Sequence, residues 1–126
     1  MRWKVNGVLI PADDKEGVVK AILRVHGFDY AEPECAHGML NVWCYTVSSP
    51  GDDFMGDFSD EIAEFVKDGE LYAVVEEYED HFKYKFHDGE YSSSYGEKYI
   101  YFTGEEDKFV DNLPKEIIKA VLEKYA

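Results

Sequence analysis

Residues 51–102 read GDDFMGDFSDEIAEFVKDGELYAVVEEYEDHFKYKFHDGEYSSSYGEKYIYF, a stretch with two unlike halves. From Asp52 to Asp80 there are twelve acids and one base, Lys67, a net of −11 in 29 residues. The whole chain carries −14, so the other 97 residues contribute only −3. From Phe82 to Phe102 the acids thin out and rings take over: Phe82, Tyr84, Phe86, Tyr91, Tyr95, Tyr99, Tyr101 and Phe102. Apolar spacing sets the elements. A helix is expected from about Ser59 to Lys67, with Ser59 as N-cap. Phe58, Ile62, Phe65 and Val66 then face inward, and Asp60, Glu61, Glu64 and Asp68 face out. Asp60 and Glu61 fall in the first turn, where the helix dipole favours anions. Leu71–Glu79 and Phe82–His87 read as strands, and Asp88-Gly89 is a two-residue hairpin signal. Glu90–Tyr95 pairs back across it, and Lys98–Thr103 resumes as a strand after Gly96.

Upstream, Trp3 to Ile10 alternates loosely and reads as a first strand, with a short hairpin on Asn6-Gly7. Asp13-Asp14 offers N-caps for a helix from about Lys15 to His26. Val18, Val19, Ile22, Leu23 and His26 share its inner face, and Gly27 is its C-cap. Phe28 to Gly38 reads as loop, broken by Pro33 and Gly38. Met39–Ser48 is a strand with two largely apolar faces, which suggests a central position or a face kept for a partner. Downstream, a last helix starts near Asn112 with Pro114 in its first turn, and Leu113, Ile117, Val121 and Tyr125 form its inner row. The order β-α-β-α-β-β-(β)-β-α argues one α+β domain over residues 1–126. It predicts a single antiparallel-rich sheet with three helices, and a ferredoxin-like variant fits.

A length of 126 residues with 45% apolar and 16% aromatic content supports a core and excludes a disordered polyanion. Val8-Leu9-Ile10 stops at Pro11, too short for a signal peptide or a membrane span. The two cysteines, Cys35 and Cys44, do not make a secreted disulfide framework. A cytosolic (cytoplasmic) protein with reduced thiols is expected. The net charge of −14 repels DNA, RNA and anionic lipid and favours basic protein partners.

Catalytic signatures are missing. No nucleophile-elbow, zinc-helix, phosphate-loop or dinucleotide glycine pattern occurs. Cys35-Ala36-His37 with Cys44 matches no strong metal spacing, and His81 and His87 stand about 20 Å apart along one strand. Paired carboxylates are too abundant to mark an acid/base couple. The chain reads as a non-enzyme with no cofactor and no metal. The ring ladder of Phe82, Tyr84 and Phe86 resembles single-strand stacking platforms, but Lys83, Lys85 and Lys98 are a thin phosphate groove against this charge. An alternative use is as a binding module, holding a small molecule or nucleotide signal on an aromatic face or pocket.

The acidic belt carries the leading expectation. Along a strand, residues i and i+2 lie about 6.6–6.8 Å apart, on the scale of neighbouring phosphates. Carboxylates held so can satisfy lysines and arginines that otherwise grip a nucleic-acid backbone. In size and charge distribution, Asp52 to Asp80 chiefly, the chain resembles two groups of small acidic α+β proteins. One is phage anti-defence proteins, the anti-CRISPR and anti-restriction inhibitors that imitate DNA. The other is the immunity proteins and antitoxins that block basic nucleases. The resemblance implies an inhibitor bound to the nucleic-acid site of a basic, nucleic-acid-handling protein, with no direct nucleic-acid contact and no membrane. It transfers no residue roles. From the belt itself, Asp57, Asp60, Glu61, Glu64, Glu76, Glu77, Glu79 and Asp80 are expected as partner-binding anchors around a central Tyr78. A homo-oligomer is compatible with all of this.

Overall fold

The computed structural model describes residues 2–32, 38–46, 53–75 and 80–95. Strand β1 (Trp3–Pro11) is followed by helix α1 (Glu16–Val25), β2 (Asp29–Ala31) and β3 (Leu40–Tyr45). Helix α2 (Phe54–Ile62) runs through a 3-10 turn (Ala63–Phe65) directly into β4 (Val66–Val75), and β5 (Asp80–His87) and β6 (Glu90–Tyr95) complete one sheet. The strands lie in the order β2-β3-β1-β4-β5-β6, every neighbour antiparallel. β1-α1-β2 encloses β3, and β3-α2-β4 encloses β1. These two interleaved split β-α-β units have ferredoxin-like connectivity, widened by the β5–β6 hairpin.

Trp3, Val5 and Leu9 of β1 share a face with Leu40, Val42 and Cys44, with Leu71, Ala73 and Val75, and with Tyr84 and Phe86. The helices close this face with Val19, Ile22 and Leu23 from α1 and Met55, Phe58 and Ile62 from α2. Phe28 stacks on Phe58 with ring centres 4.4 Å apart, and Trp3 lies against Phe54 and Phe82. α1 ends in a Schellman motif: Phe28 N–H donates to Leu23 O, Gly27 N–H donates to Arg24 O, and Gly27 holds φ 82°.

The opposite sheet face is partly closed to solvent, and it buries polar residues beside Val8, Tyr72 and Val74. Lys4, Asn6, Asn41 and Glu70 are buried there. Tyr72 Oη donates to Glu70 Oε2 at 2.6 Å, and the Lys83 ammonium stands 3.8 Å from Glu70 and over the Tyr72 ring. One acid of the belt is therefore a core residue held by a phenol and an ammonium.

Several expectations are corrected. Two α-helices occur among the described residues, not three; the segment expected as the last helix, and the strand expected at residues 98–103, lie outside them. Asn6-Gly7 is no turn but the middle of β1, where Gly7 faces Val42 on one side and Leu71 on the other. Lys15, not Asp13 or Asp14, holds the N-cap position of α1, with no side-chain cap. The stretch read as loop after Phe28 contains β2, and β4 starts at Val66, five residues before the expected Leu71; residues 76–79 of the expected strand lie outside the described residues.

The largest shift concerns α2, which starts five residues before the expected cap. Ser59 lies inside it, fully buried, and its Oγ has no hydrogen-bond partner. Ser59→Ala should therefore raise stability by about 1 kcal/mol in urea unfolding, since it removes an orphaned hydroxyl and improves helix propensity. A capping serine would give the opposite sign, a loss of about 1 kcal/mol.

Candidate functional site

α2 is amphipathic in a way that separates apolar bulk from charge. Met55, Phe58 and Ile62 turn into the core, while Asp57, Asp60 and Glu61 are exposed, and Glu64 continues the exposed row through the 3-10 turn. Residues three and four apart on a helix have Cβ atoms about 5–6 Å apart, so these carboxylates form one ridge. At its far end the ridge meets two turns. Asp13 and Asp88 stand with Glu64 and Lys67 around a hollow of about 280 Å³. The chain brings them together by hydrogen bonds from Ala12 N–H to Phe65 O and from Asp88 N–H to Lys67 O. Neither Asp13 nor Asp88 belongs to the acidic window of the sequence; only the pairing of strand ends places them here.

Two ridge acids have partners from neighbouring elements. Tyr91 Oη of β6 donates to Asp60 Oδ1 at 2.8 Å. That hydrogen bond, followed by partial burial and by the charges of Asp60 and Asp57, holds the Tyr91 phenol above its ordinary pKa. His26, at the C-cap of α1, puts Nε2 2.6 Å from Glu61 Oε2. Both contacts are exposed, which limits an ion pair to about 0–1 kcal/mol.

The position of the ridge on α2 reverses its expected electrostatics. Asp57 lies in the first turn, where an anion is favoured. Asp60 and Glu61 lie in the last turn, which holds no base, and Glu64 follows immediately. The negative pole of the helix thus meets three carboxylates.

Of the remaining expected anchors, Glu76, Glu77, Tyr78 and Glu79 lie outside the described residues. Asp80 opens β5, paired with Val75. Asp57, Asp60, Glu61 and Glu64 are therefore the expected anchors that one surface brings together. Sequence reasoning missed Tyr91 and His26 as their supports.

Of the other candidates, Cys35, His37, Lys98, Tyr99 and Tyr101 lie outside the described residues, and Phe82, Tyr84, Phe86 and Cys44 belong to the fold's interior. Tyr84 and Phe86 are core residues and Phe82 packs against that core, so this ring face lies under the helices. Burial pushes the Tyr84 phenol up to about 12. Cys44 is buried, and its thiol is likewise pushed up to about 12, first by desolvation and then by Asp29, which leaves almost no thiolate near neutral pH. A groove of about 570 Å³ beside the β5–β6 hairpin runs past Asp68, Lys85, His87, Glu90 and Tyr91. Its lining sets charges of both signs beside the rings of Phe86 and Tyr91. Among the described residues no group of three or more His, Cys, Asp or Glu could hold a metal ion. No described helix is long and apolar enough to cross a membrane. No family model, no curated protein and no solved structure matches this chain.

Proposed function

We propose that this chain is a non-enzymatic acidic inhibitor that docks the α2 ridge into the nucleic-acid site of a basic protein. The observation that carries this reading is the crowding of Asp60, Glu61 and Glu64 at the negative end of α2 without a base in the last turn. Each anion there costs the fold about 0.3–1 kcal/mol rather than stabilising it. Helix capping and dipole compensation therefore do not account for these residues, whereas a cationic partner does. Carboxylates at helical spacing on a well-packed element present fixed negative charge, which speeds encounter and sets the register of docking. Nucleic-acid mimicry of the anti-CRISPR, anti-restriction or nuclease-immunity kind is the form of inhibition that fits.

Pull-down from cells that naturally carry the chain should retain a basic nucleic-acid-binding protein that salt elutes. Adding the chain should then displace nucleic acid from that protein, with a potency that falls steeply as salt rises. Retention of no such protein, or displacement indifferent to salt and to ridge substitutions, would overturn the reading.

A further inference from the structure

One contact ties the ridge to a side chain of the type whose charge changes near neutral pH. His26 closes α1 at the C-cap position, where its backbone N–H donates to Ile22 O. Its ring meets Phe58 edge to face with centres 5.4 Å apart, and Nε2 reaches Glu61 Oε2 at 2.6 Å. The two side chains are 21% and 49% exposed, so solvent protons reach the ring and a partner can reach the carboxylate.

A carboxylate only accepts, so the neutral ring carries its proton on Nε2 and leaves the Nδ1 lone pair to take a second. Histidine ordinarily does so between about pH 5 and 8. Protonation then turns a hydrogen bond into an ion pair with the same partner atom. On the α2 side the charges flanking this pair are acids. Asp57 stands one turn before Glu61, and Glu64 follows in the 3-10 turn. The C-terminal pole of α1 adds a further negative end. Arg24, two residues earlier on α1, is directed to β2, where its Nη1 donates to Tyr30 Oη at 2.8 Å. As a contribution to the fold such an exposed pair is small, so its larger consequence falls on the charge the ridge presents.

We infer that His26 makes the ridge a pH-sensitive docking surface: when its ring takes a proton, Glu61 is neutralised from within the chain and a cationic partner is held less well. This rests on the acidic-ridge reading and specifies its regulation. With the ring neutral, the imidazole orients Glu61 Oε2 and leaves the carboxylate charge for the partner. With the ring protonated, one ridge carboxylate is already paired, and the imidazolium repels an arriving lysine or arginine. Linkage is reciprocal, so a docked cationic partner drives the proton off the ring by the same factor. Inhibition is therefore strongest on the alkaline side of neutrality and relaxes as the pH falls toward about 5.5.

The test is fluorescence anisotropy of the full chain with a labelled, capped peptide of about nine arginines, which keeps its charge at every pH used. At fixed ionic strength, affinity should fall about threefold or more between about pH 8 and about pH 5.5. His26→Gln keeps a donor for Glu61 but has no titrating ring, so it should flatten that fall. His87→Gln, at the exposed histidine beside Asp88, should preserve it. A second measurement needs no variant: the His26 ring protons, followed by NMR, should titrate at lower pH with the peptide bound than without it. A pH dependence that survives His26→Gln or vanishes with His87→Gln overturns the switch, as does a ring that titrates alike with and without peptide. If Glu61→Gln nevertheless weakens binding at pH 8, the ridge reading stands without the switch. If Asp60→Asn with Glu61→Gln leaves the affinity at pH 8 unchanged, the ridge reading fails and the switch with it.

Discussion

Gly7→Ala should lower the melting temperature by about 10 °C or more, whereas Gly17→Ala should raise it. Gly7 sits mid-strand in β1 and does not belong to the glycines with positive φ, so its need is purely steric. A Cβ placed there would lie 2.1 Å from Glu70 O and 2.7 Å from both Leu71 Cα and a Leu71 methyl. Two of those atoms are backbone of β4, the strand that pairs with β1 over its whole length, and no rotamer can move them. The clash has to be relieved by parting two central strands, which disturbs Val5, Leu9, Leu71 and Ala73 in the same core. The cost belongs at or above the upper end of the overpacking range, about 3 kcal/mol. Gly17 is the control. It lies in the first turn of α1, exposed, and a Cβ there would meet nothing within 4 Å. Alanine at that position gains about 1 kcal/mol of helix propensity. Thermal melting of both variants decides the matter, and an unchanged melting temperature for Gly7→Ala would remove the β1–β4 pairing as described.

That glycine also shows where sequence reading stops. Asn-Gly between apolar runs is a strong hairpin signal, and it misleads here because the reason for Gly7 lies in a strand about sixty residues away. Local devices are legible: α1 is visible within one or two residues of its ends, and Asp88-Gly89 is the turn it promises. α2 is misplaced because its competing local signals are stronger than its true ones. Asp53 holds its N-cap position without a side-chain cap, Gly56 interrupts its first turn, and Ser59-Asp60-Glu61 imitates a helix start. The acids of the ridge are legible as acids, but their electrostatic sense depends on which end of the helix they occupy. A five-residue shift turns Asp60 and Glu61 from dipole-stabilised caps into anions at the negative pole. Glu70 shows the same limit from the other side. Nothing in its neighbours in sequence tells that it is buried with Tyr72 and Lys83 and belongs to the fold instead of the belt.

Neutralising the far end of the ridge should leave the free protein as stable as before or more so, while association with a basic partner slows about tenfold or more. The variant is Asp60→Asn, Glu61→Gln and Glu64→Gln together. Asparagine at position 60 keeps an acceptor for the Tyr91 hydroxyl, and glutamine at 61 keeps one for His26, so the two side-chain contacts survive without their charge. What is lost is an exposed ion pair of small value; what is gained is relief of three anions from the negative pole of α2. The net should be on the order of 1 kcal/mol in favour of folding, larger at low salt because the Debye length is then longer. Asp57→Asn makes the internal comparison: it sits in the first turn, where the dipole favours its charge, and should cost about a few tenths instead. A structural role for the ridge forecasts one sign for all four residues. A functional role forecasts opposite signs in stability and a shared loss in association rate. Melting in low salt, set beside stopped-flow association with the captured partner, separates them. A destabilised triple variant that still associates at the original rate would leave the ridge as solvated scaffolding and the inhibitor reading without support.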